Sequence, residues 1–357
     1  MPPEVLGWDI GGAHVKVALA NDQTISRIEQ LSCPLWKGLD ELRKCIQIVE
    51  DIFDTKKCEH VVTMTGELVD HFTDRKHGVI SIVNEMTNKL QPSRVRYYAG
   101  DDGFVDTQQA LNDFHKIASA NWLASAHYAA NKIYNALFID VGSTTTDIVV
   151  IRENQVDYSG YTDAERLVAK ELLYCGVVRT PIFAICKSAL IKNLQIPVIN
   201  EYFANTADVY RITEELAEHA DLGQTLDGNH KDVSCSAIRL ARMFANDAKQ
   251  DELGVWKNVA KQIRGAQLQL IKDTARYQCL KNNITLETPI IGAGVGRFLI
   301  KDIAQQLGRE YIDYETLFDA KTSSNEFGVG DCAPAAAVAC LASSQLSSSN
   351  ISECGHQ

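Results

Sequence analysis

The stretch NALFIDVGSTTTDIVVI (135–151) decides how this chain is read, because VLGWDIGGAHVKVALA (5–20) follows the same plan. Each has an apolar run, Asp-x-Gly, a few small residues and a second apolar run, with the aspartates at Asp9 and Asp140. Apolar runs on either side of a glycine turn predict a β-hairpin in each place. The residue seven positions after each aspartate is charged, but it is Lys16 in the first copy and Asp147 in the second. A repeated supersecondary unit governs the whole fold, so two related halves are expected.

The rest of the chain fits that frame. GLDELRKCIQIVEDIF (38–53) has helical spacing, HVVTMTGEL (60–68) and VRYYAGDDG (95–103) read as strands ending in turns, and the alanine-rich 113–133 reads as one helix. The expected class is α/β, with a first half at 1–130 and a second at 131–357. The second half includes a mainly helical segment at about 160–285, with helices predicted over 163–178, 234–249 and 253–280. ETPIIGAGVGRFLIKDIAQQLG (287–308) reads as strand, glycine loop and helix, and 333–346 as a last helix of small residues.

Composition limits the function. The 357 residues are 45% hydrophobic and 23% charged, ordinary for a globular chain longer than one domain. A net charge of −11 argues against nucleic-acid or anionic-membrane partners, so a phosphorylated substrate needs a local basic pocket or a metal. The ten cysteines are scattered, with no C-x-x-C pair or zinc spacing. The start lacks a basic n-region and an apolar h-region. These features predict a cytoplasmic location with free thiols. They leave homo-oligomerisation open.

Glycine turns let backbone N–H groups approach an anion, and consecutive N–H groups form a nest for it. Ser143, Thr144, Thr145 and Thr146 add hydroxyl donors, and Asp9 and Asp140, at strand ends, suit a hydrated Mg²⁺. Gly292, Gly294 and Gly296 follow a strand and precede a helix; such glycines serve either phosphate approach or close packing. Arg179, beside Thr-Pro, suits anion recognition or a helix end. Glu67 and Asp70 follow a strand and suit a base, a metal ligand or a helix N-terminal acid. The polar stretches 202–212 and 225–232 either line a cleft or lie as solvated loops.

Together GWDIGGAHVKVAL, MTGEL, SANWLASA, FIDVGSTTTDI, YCGVVRTP, ANTADVYRI and IGAGVGRFL resemble the actin/hexokinase/acetate-kinase (ASKHA) superfamily. Within it they are similar to the hydantoinase/oxoprolinase-related branch linked to tetrahydromethanopterin one-carbon metabolism. The resemblance implies two ribonuclease-H-like halves around a central cleft, with a helical insertion. It implies phosphate loops at Asp9, Gly11, Gly12 and Lys16, and at Asp140, Gly142, Ser143, Thr144, Thr145 and Asp147, plus an adenosine-type loop at Gly292 and Gly294. One position departs from the branch's pattern: Lys170 stands where a glycine often precedes Glu-Leu.

The activity implied is that of methanofuran biosynthesis. A furan diphosphate, 5-(aminomethyl)-3-furanmethanol diphosphate, condenses with the phenol of γ-glutamyltyramine, an ether forms and pyrophosphate leaves. Mg²⁺ on Asp9 and Asp140, Lys16 and the loop N–H groups would meet the leaving anion, with Asp147 or Glu67 taking the phenolic proton. Lys16 facing Asp147 would then pair an anion-attracting side with a metal- or proton-handling side. The alternatives are an ATP-dependent kinase or hydantoinase/oxoprolinase-like enzyme, in which ATP is the phosphate ligand, and a nucleotide-gated binding protein.

Overall fold

The computed structural model describes residues 4–321 and 327–354 and divides into two compact units. The first comprises the chain up to Tyr134, Glu153–Val156 and everything from Tyr314 onward; the second comprises Asn135–Arg152 and Asp157–Asp313. The expected division at 130/131 therefore shifts to Tyr134, and the C-terminal part, expected in the second half, belongs to the first unit.

The first unit contains β1 (Glu4–Ile10), β2 (His14–Asn21), β3 (Thr24–Ser32), β4 (Cys58–Met64), β5 (Val95–Tyr98) and β6 (Phe104–Val105). They form a seven-stranded sheet in the order 3-2-1-4-5-6, with the short strand Asp319–Ala320 beyond β3. β1, β2 and β3 pair antiparallel, while β1, β4 and β5 pair parallel. The helix Ala333–Cys354 lies against β1 and β2. Ala335, Ala336, Ala337 and Ala339 are fully buried there, and a β-carbon at Gly7 of β1 would collide with the Ala335 carbonyl oxygen. Helix and strand backbones touch, so this helix must be made of small residues. That close packing is why the chain's end joins the first unit.

The second unit begins with β7 (Ala136–Val141) and β8 (Thr146–Arg152); β9 (Gln155–Asp157) straddles the junction between units. Next come β10 (Leu172–Leu173), the hairpin of β11 (Ser188–Ile191) and β12 (Leu194–Pro197), then β13 (Ile290–Ala293) and β14 (Tyr311–Asp313). Its main sheet runs β10-β8-β7-β13-β14. Counting only those strands, this is again 3-2-1-4-5, with antiparallel pairing from first to second to third and parallel pairing from first to fourth to fifth. The duplication thus covers five strands and their directions. Between third and fourth strands the first unit carries the helix Leu39–Ile52, while the second carries the insertion, with helices Thr206–Ile212, Val233–Arg242 and Leu253–Lys281.

Two predicted helices are shorter than expected. The one over 113–133 is broken into Phe114–Ile117 and Asn121–Ala130 by Ser119 at φ +52°. The one over 163–178 stops at Ala169, where Lys170 is left-handed at φ 58°, and the chain turns into β10. A left-handed residue costs a side chain about 1–2 kcal/mol that a glycine at this position would avoid. The polar stretches 202–212 and 225–232 meet instead through the fully buried Arg239, which pairs with Asp208 at 2.8 Å and Asp227 at 3.0 Å. No helix among the described residues is long and apolar enough to cross a membrane.

The contact at β1 gives a direct test. Gly7→Ala is expected to lower stability by about 1–3 kcal/mol through overpacking, read as a shift of the urea midpoint at unchanged slope.

Candidate functional site

The two hairpins share one register. Asp9 lies opposite Lys16 and Ile10 opposite Val15, and the Gly11 N–H donates to the His14 carbonyl at 2.9 Å. Asp140 lies opposite Asp147 and Val141 opposite Thr146, and the Gly142 N–H donates to the Thr145 carbonyl at 2.9 Å. Residues directly opposite share a face, with β-carbons about 4.5–5.5 Å apart. The charged residue seven positions on is therefore the cross-strand neighbour of its own aspartate.

Each turn is held from outside by the segment that follows the third strand. In the first unit the Gly12 and Ala13 carbonyls accept from the Leu35 and Cys33 N–H groups at 3.1 and 2.8 Å. In the second the Gly142 carbonyl accepts from Val177 at 3.0 Å, and the Ser143 carbonyl from Val178 and Arg179 at 3.0 and 2.9 Å. In a planar trans peptide the N–H points opposite to the carbonyl. The N–H groups of Ser143 and Thr144 therefore point away from 177–179, and those of Ala13 and His14 away from 33–35. Two consecutive N–H groups aimed the same way form an anion nest.

A second tie comes from the loop after the fourth strand. The Thr65 N–H donates to the Ile10 carbonyl at 3.0 Å, and the Gly296 N–H to the Val141 carbonyl at 2.8 Å. GAGVG is thus the second unit's counterpart of the MTGEL turn. Gly294 has φ +79°, and a β-carbon on it would collide with the Asp140 carboxylate and the Val141 carbonyl. A β-carbon at Gly292 would lie 2.6 Å from the Tyr311 ring, and one at Gly296 2.5 Å from Val141. Packing alone requires these glycines, while Gly294 sets its backbone directly against Asp140.

The electrostatics of the hairpins differ. Asp9 is 7% exposed, and burial lifts its carboxyl to about 6 against the opposing pull of Lys16. Among the described residues its Oδ1 is buried without a hydrogen-bond partner, while the Lys16 ammonium donates to the Asp331 carbonyl at 2.7 Å. In the second hairpin two carboxylates face each other, and the buried Arg166 meets Asp147 at 2.8 Å. Burial raises the Asp147 carboxyl above the usual range, with Arg166 pulling it down. Glu67 is 1% exposed and accepts from the Ser119 hydroxyl at 2.8 Å. Arg179 has an exposed side chain, and its backbone N–H is what binds the loop. The carboxylate of Glu171 accepts from the Ser159 and Gly160 N–H groups at 2.8 and 3.2 Å, a structural role.

Arg166 and Asp331 escaped the reading of the sequence. The only signal for Arg166 was the three-residue spacing from Asp163 on a short helix, and for Asp331 a Gly-x-Gly-Asp turn before the last helix. Among the described residues no group of three or more His, Cys, Asp or Glu is placed to hold a metal. A buried carboxylate oxygen with no partner at Asp9 nonetheless suits Mg²⁺, which needs one or two carboxylates and keeps its waters.

The chain matches the hydantoinase/oxoprolinase family over residues 59–322, a span that includes the second hairpin. A protein of Methanocaldococcus jannaschii named (4-{4-[2-(γ-L-glutamylamino)ethyl]phenoxymethyl}furan-2-yl)methanamine synthase is 29% identical over 302 residues, 84% of this chain and 88% of its own length. A protein of the same name from Methanococcus vannielii is 31% identical over 199 residues, 55% of this chain and 80% of its own. Among solved structures, nucleotide-free acetone carboxylase shares the fold at a TM-score of 0.56 and 10% identity, over 96% of this chain and 70% of that one.

The rise of the Asp9 carboxyl from 3.8 to about 6 corresponds to about 3 kcal/mol of destabilisation by the buried charge. Because the folded-state value is raised, the stability it confers is complete below pH 4 and lost as pH climbs through 6. Asp9→Asn is therefore expected to stabilise the chelator-treated protein by up to about 3 kcal/mol at pH 7.5 and to give no gain at pH 4, by urea unfolding. A gain of equal size at both pH values would exclude charge burial as its cause.

Proposed function

The chain belongs to the hydantoinase/oxoprolinase family, and from that premise we propose that it is a transferase of methanofuran-type cofactor biosynthesis. It joins 5-(aminomethyl)-3-furanmethanol diphosphate to the phenol of γ-glutamyltyramine and releases pyrophosphate. The name its two relatives carry describes the product: a phenoxymethyl ether between an aminomethyl furan and a γ-glutamylated tyramine. The bond formed is furanylmethyl carbon to phenol oxygen. The carbon–oxygen bond to pyrophosphate breaks, its electron pair leaves with the pyrophosphate, and the phenolic proton passes to a carboxylate.

One observation carries the reading: the outward N–H pair of Ser143 and Thr144 lies on the turn of the hairpin that carries Asp147. A furanylmethyl carbon supports positive charge, so departure of pyrophosphate can run ahead of attack. The protein then has to stabilise the leaving anion, hold the phenol in line and exclude water. In the first unit the Gly11–Gly12 turn and Lys16 form a candidate anion site of their own. In the second, Gly142, Ser143, Thr144 and Thr145 form another, with Gly292, Gly294 and Arg179 supporting them. Asp9 in the first unit and Asp140 in the second are each candidate holders of Mg²⁺, which when bound would neutralise charge on a departing pyrophosphate. Of the two candidate bases, Asp147 has a side chain 15% exposed and Glu67 is 1% exposed, so Asp147 is assigned as the base. Glu67 would have to break its bond from Ser119 first.

Purified protein with Mg²⁺, the furan diphosphate and γ-glutamyltyramine is expected to yield ether and pyrophosphate in equal amounts without ATP. ATP turnover that needs no furan would replace this reading with the ATP-dependent one. Asp147→Asn is expected to lower kcat by about 100-fold or more. An effect under about threefold, below ~1 kcal/mol of barrier, would remove Asp147 as the base.

A further inference from the structure

Tyr174 has no part in the chemistry described so far, yet its placement is unusual. It is 53% exposed, and its surroundings fix it from three sides. Leu173, just before it, pairs with Thr146 of the hairpin. The carbonyl of Cys175, just after it, accepts from the Thr146 hydroxyl at 2.6 Å. Gly176 follows, so close under the turn that a β-carbon would lie 2.5 Å from the Thr144 nitrogen. The backbone of Tyr174 is thus pinned to the edge of the 142–147 turn.

The side chain is anchored as well. The Tyr174 hydroxyl donates to the Asp163 carboxylate at 3.2 Å. Asp163 and Arg166 are three apart on the helix Asp163–Ala169, so they share a face about one turn apart. Arg166 holds Asp147 at 2.8 Å. One short helix face therefore grips both the proposed base and the tip of this tyrosine. Leu172, two residues before Tyr174, lies directly opposite Asp147, so the chain reaches Tyr174 straight from the strand end that pairs with the proposed base.

An exposed aromatic ring held by its backbone and its hydroxyl binds with little loss of freedom, because few torsions remain to be fixed. The ligand chemistry follows from Asp147. The group that gives its proton to this carboxylate must come within hydrogen-bond reach of it, and in the reaction that group is a phenol. We propose that Tyr174 is the aromatic platform against which the phenol ring of the acceptor stacks, so that it selects an aryl alcohol over an aliphatic one. This rests on the transferase reading and on Asp147 as its base. Ring stacking sets how tightly the acceptor is held and leaves the diphosphate of the donor untouched.

The test is steady-state kinetics of Tyr174→Ala and Tyr174→Phe, with each substrate varied in turn and pyrophosphate release as the signal. Tyr174→Ala is expected to raise KM for γ-glutamyltyramine by about fivefold, or about 1 kcal/mol, with KM for the furan diphosphate within twofold of wild type. Tyr174→Phe keeps the ring and loses the bond to Asp163; its acceptor KM is expected within twofold of wild type. An unchanged acceptor KM in Tyr174→Ala, an equal rise in both KM values, or a Phe variant as impaired as the Ala variant would each overturn the platform while leaving the transferase intact. A wild-type protein that forms no ether would overturn both. Ring-substituted phenols as acceptors add a second reading: wild type is expected to prefer them to an alkyl alcohol of the same length, and Tyr174→Ala to lose most of that preference.

Discussion

The structure depends on how two hairpin turns are held. Each turn is tied twice, by N–H groups from the segment after the third strand and by one N–H from the loop after the fourth. A glycine turn alone is soft, because glycine loses most entropy on being fixed. Bonding its carbonyls from outside fixes the peptide planes and thereby aims the N–H groups of the other face. The turns are thereby held in one shape by the protein itself. The five-strand order follows from the same need, since the third and fourth strands must deliver their ends to the first strand's end.

The charge seven residues after each aspartate marks where the copies diverge. Opposite charges facing across two strands attract, and Lys16 lowers the cost of burying Asp9 without abolishing it. Like charges in the same places repel, and Arg166, arriving from elsewhere, offsets that repulsion at Asp147. That arginine is 1% exposed and also donates to the Glu171 carbonyl at 3.2 Å, which offsets part of the cost of its burial. The reversal places a second carboxylate on the turn and makes the second unit dependent on the short helix that carries Arg166.

The hairpins were legible in the sequence because everything that makes them is local: two apolar runs, a glycine turn and a fixed spacing. Their neighbours were less so. The helix carrying Arg166 is shorter than its residue spacing predicts, since its left-handed stop is a lysine, and lysine gives no sign of positive φ. The helix after residue 113 hid its break at Ser119 for the same reason. GAGVG was visible as a glycine loop, but not as the counterpart of MTGEL. The two share a position after the fourth strand and one hydrogen bond, and hardly any residues. Asp208 and Asp227 read as polar interruptions because their partner, Arg239, comes from a third segment.

The insertion between the third and fourth strands of the second unit is part of the same support. Its clearest work is done at one carbonyl. The Gly176 oxygen accepts from the Thr180 hydroxyl at 3.1 Å, from the Thr206 hydroxyl at 2.9 Å and from the Gln267 amide at 2.9 Å. Thr206 starts one helix of the insertion and Gln267, fully buried, lies within its longest. Gly176 in turn presses under Ser143 and Thr144, at a distance no side chain would allow. The first unit meets the same need with a shorter connection, through Cys33 and Leu35. In the second, the helices reach the turn through Gly176, so a change deep in the insertion acts on the outward N–H pair of Ser143 and Thr144.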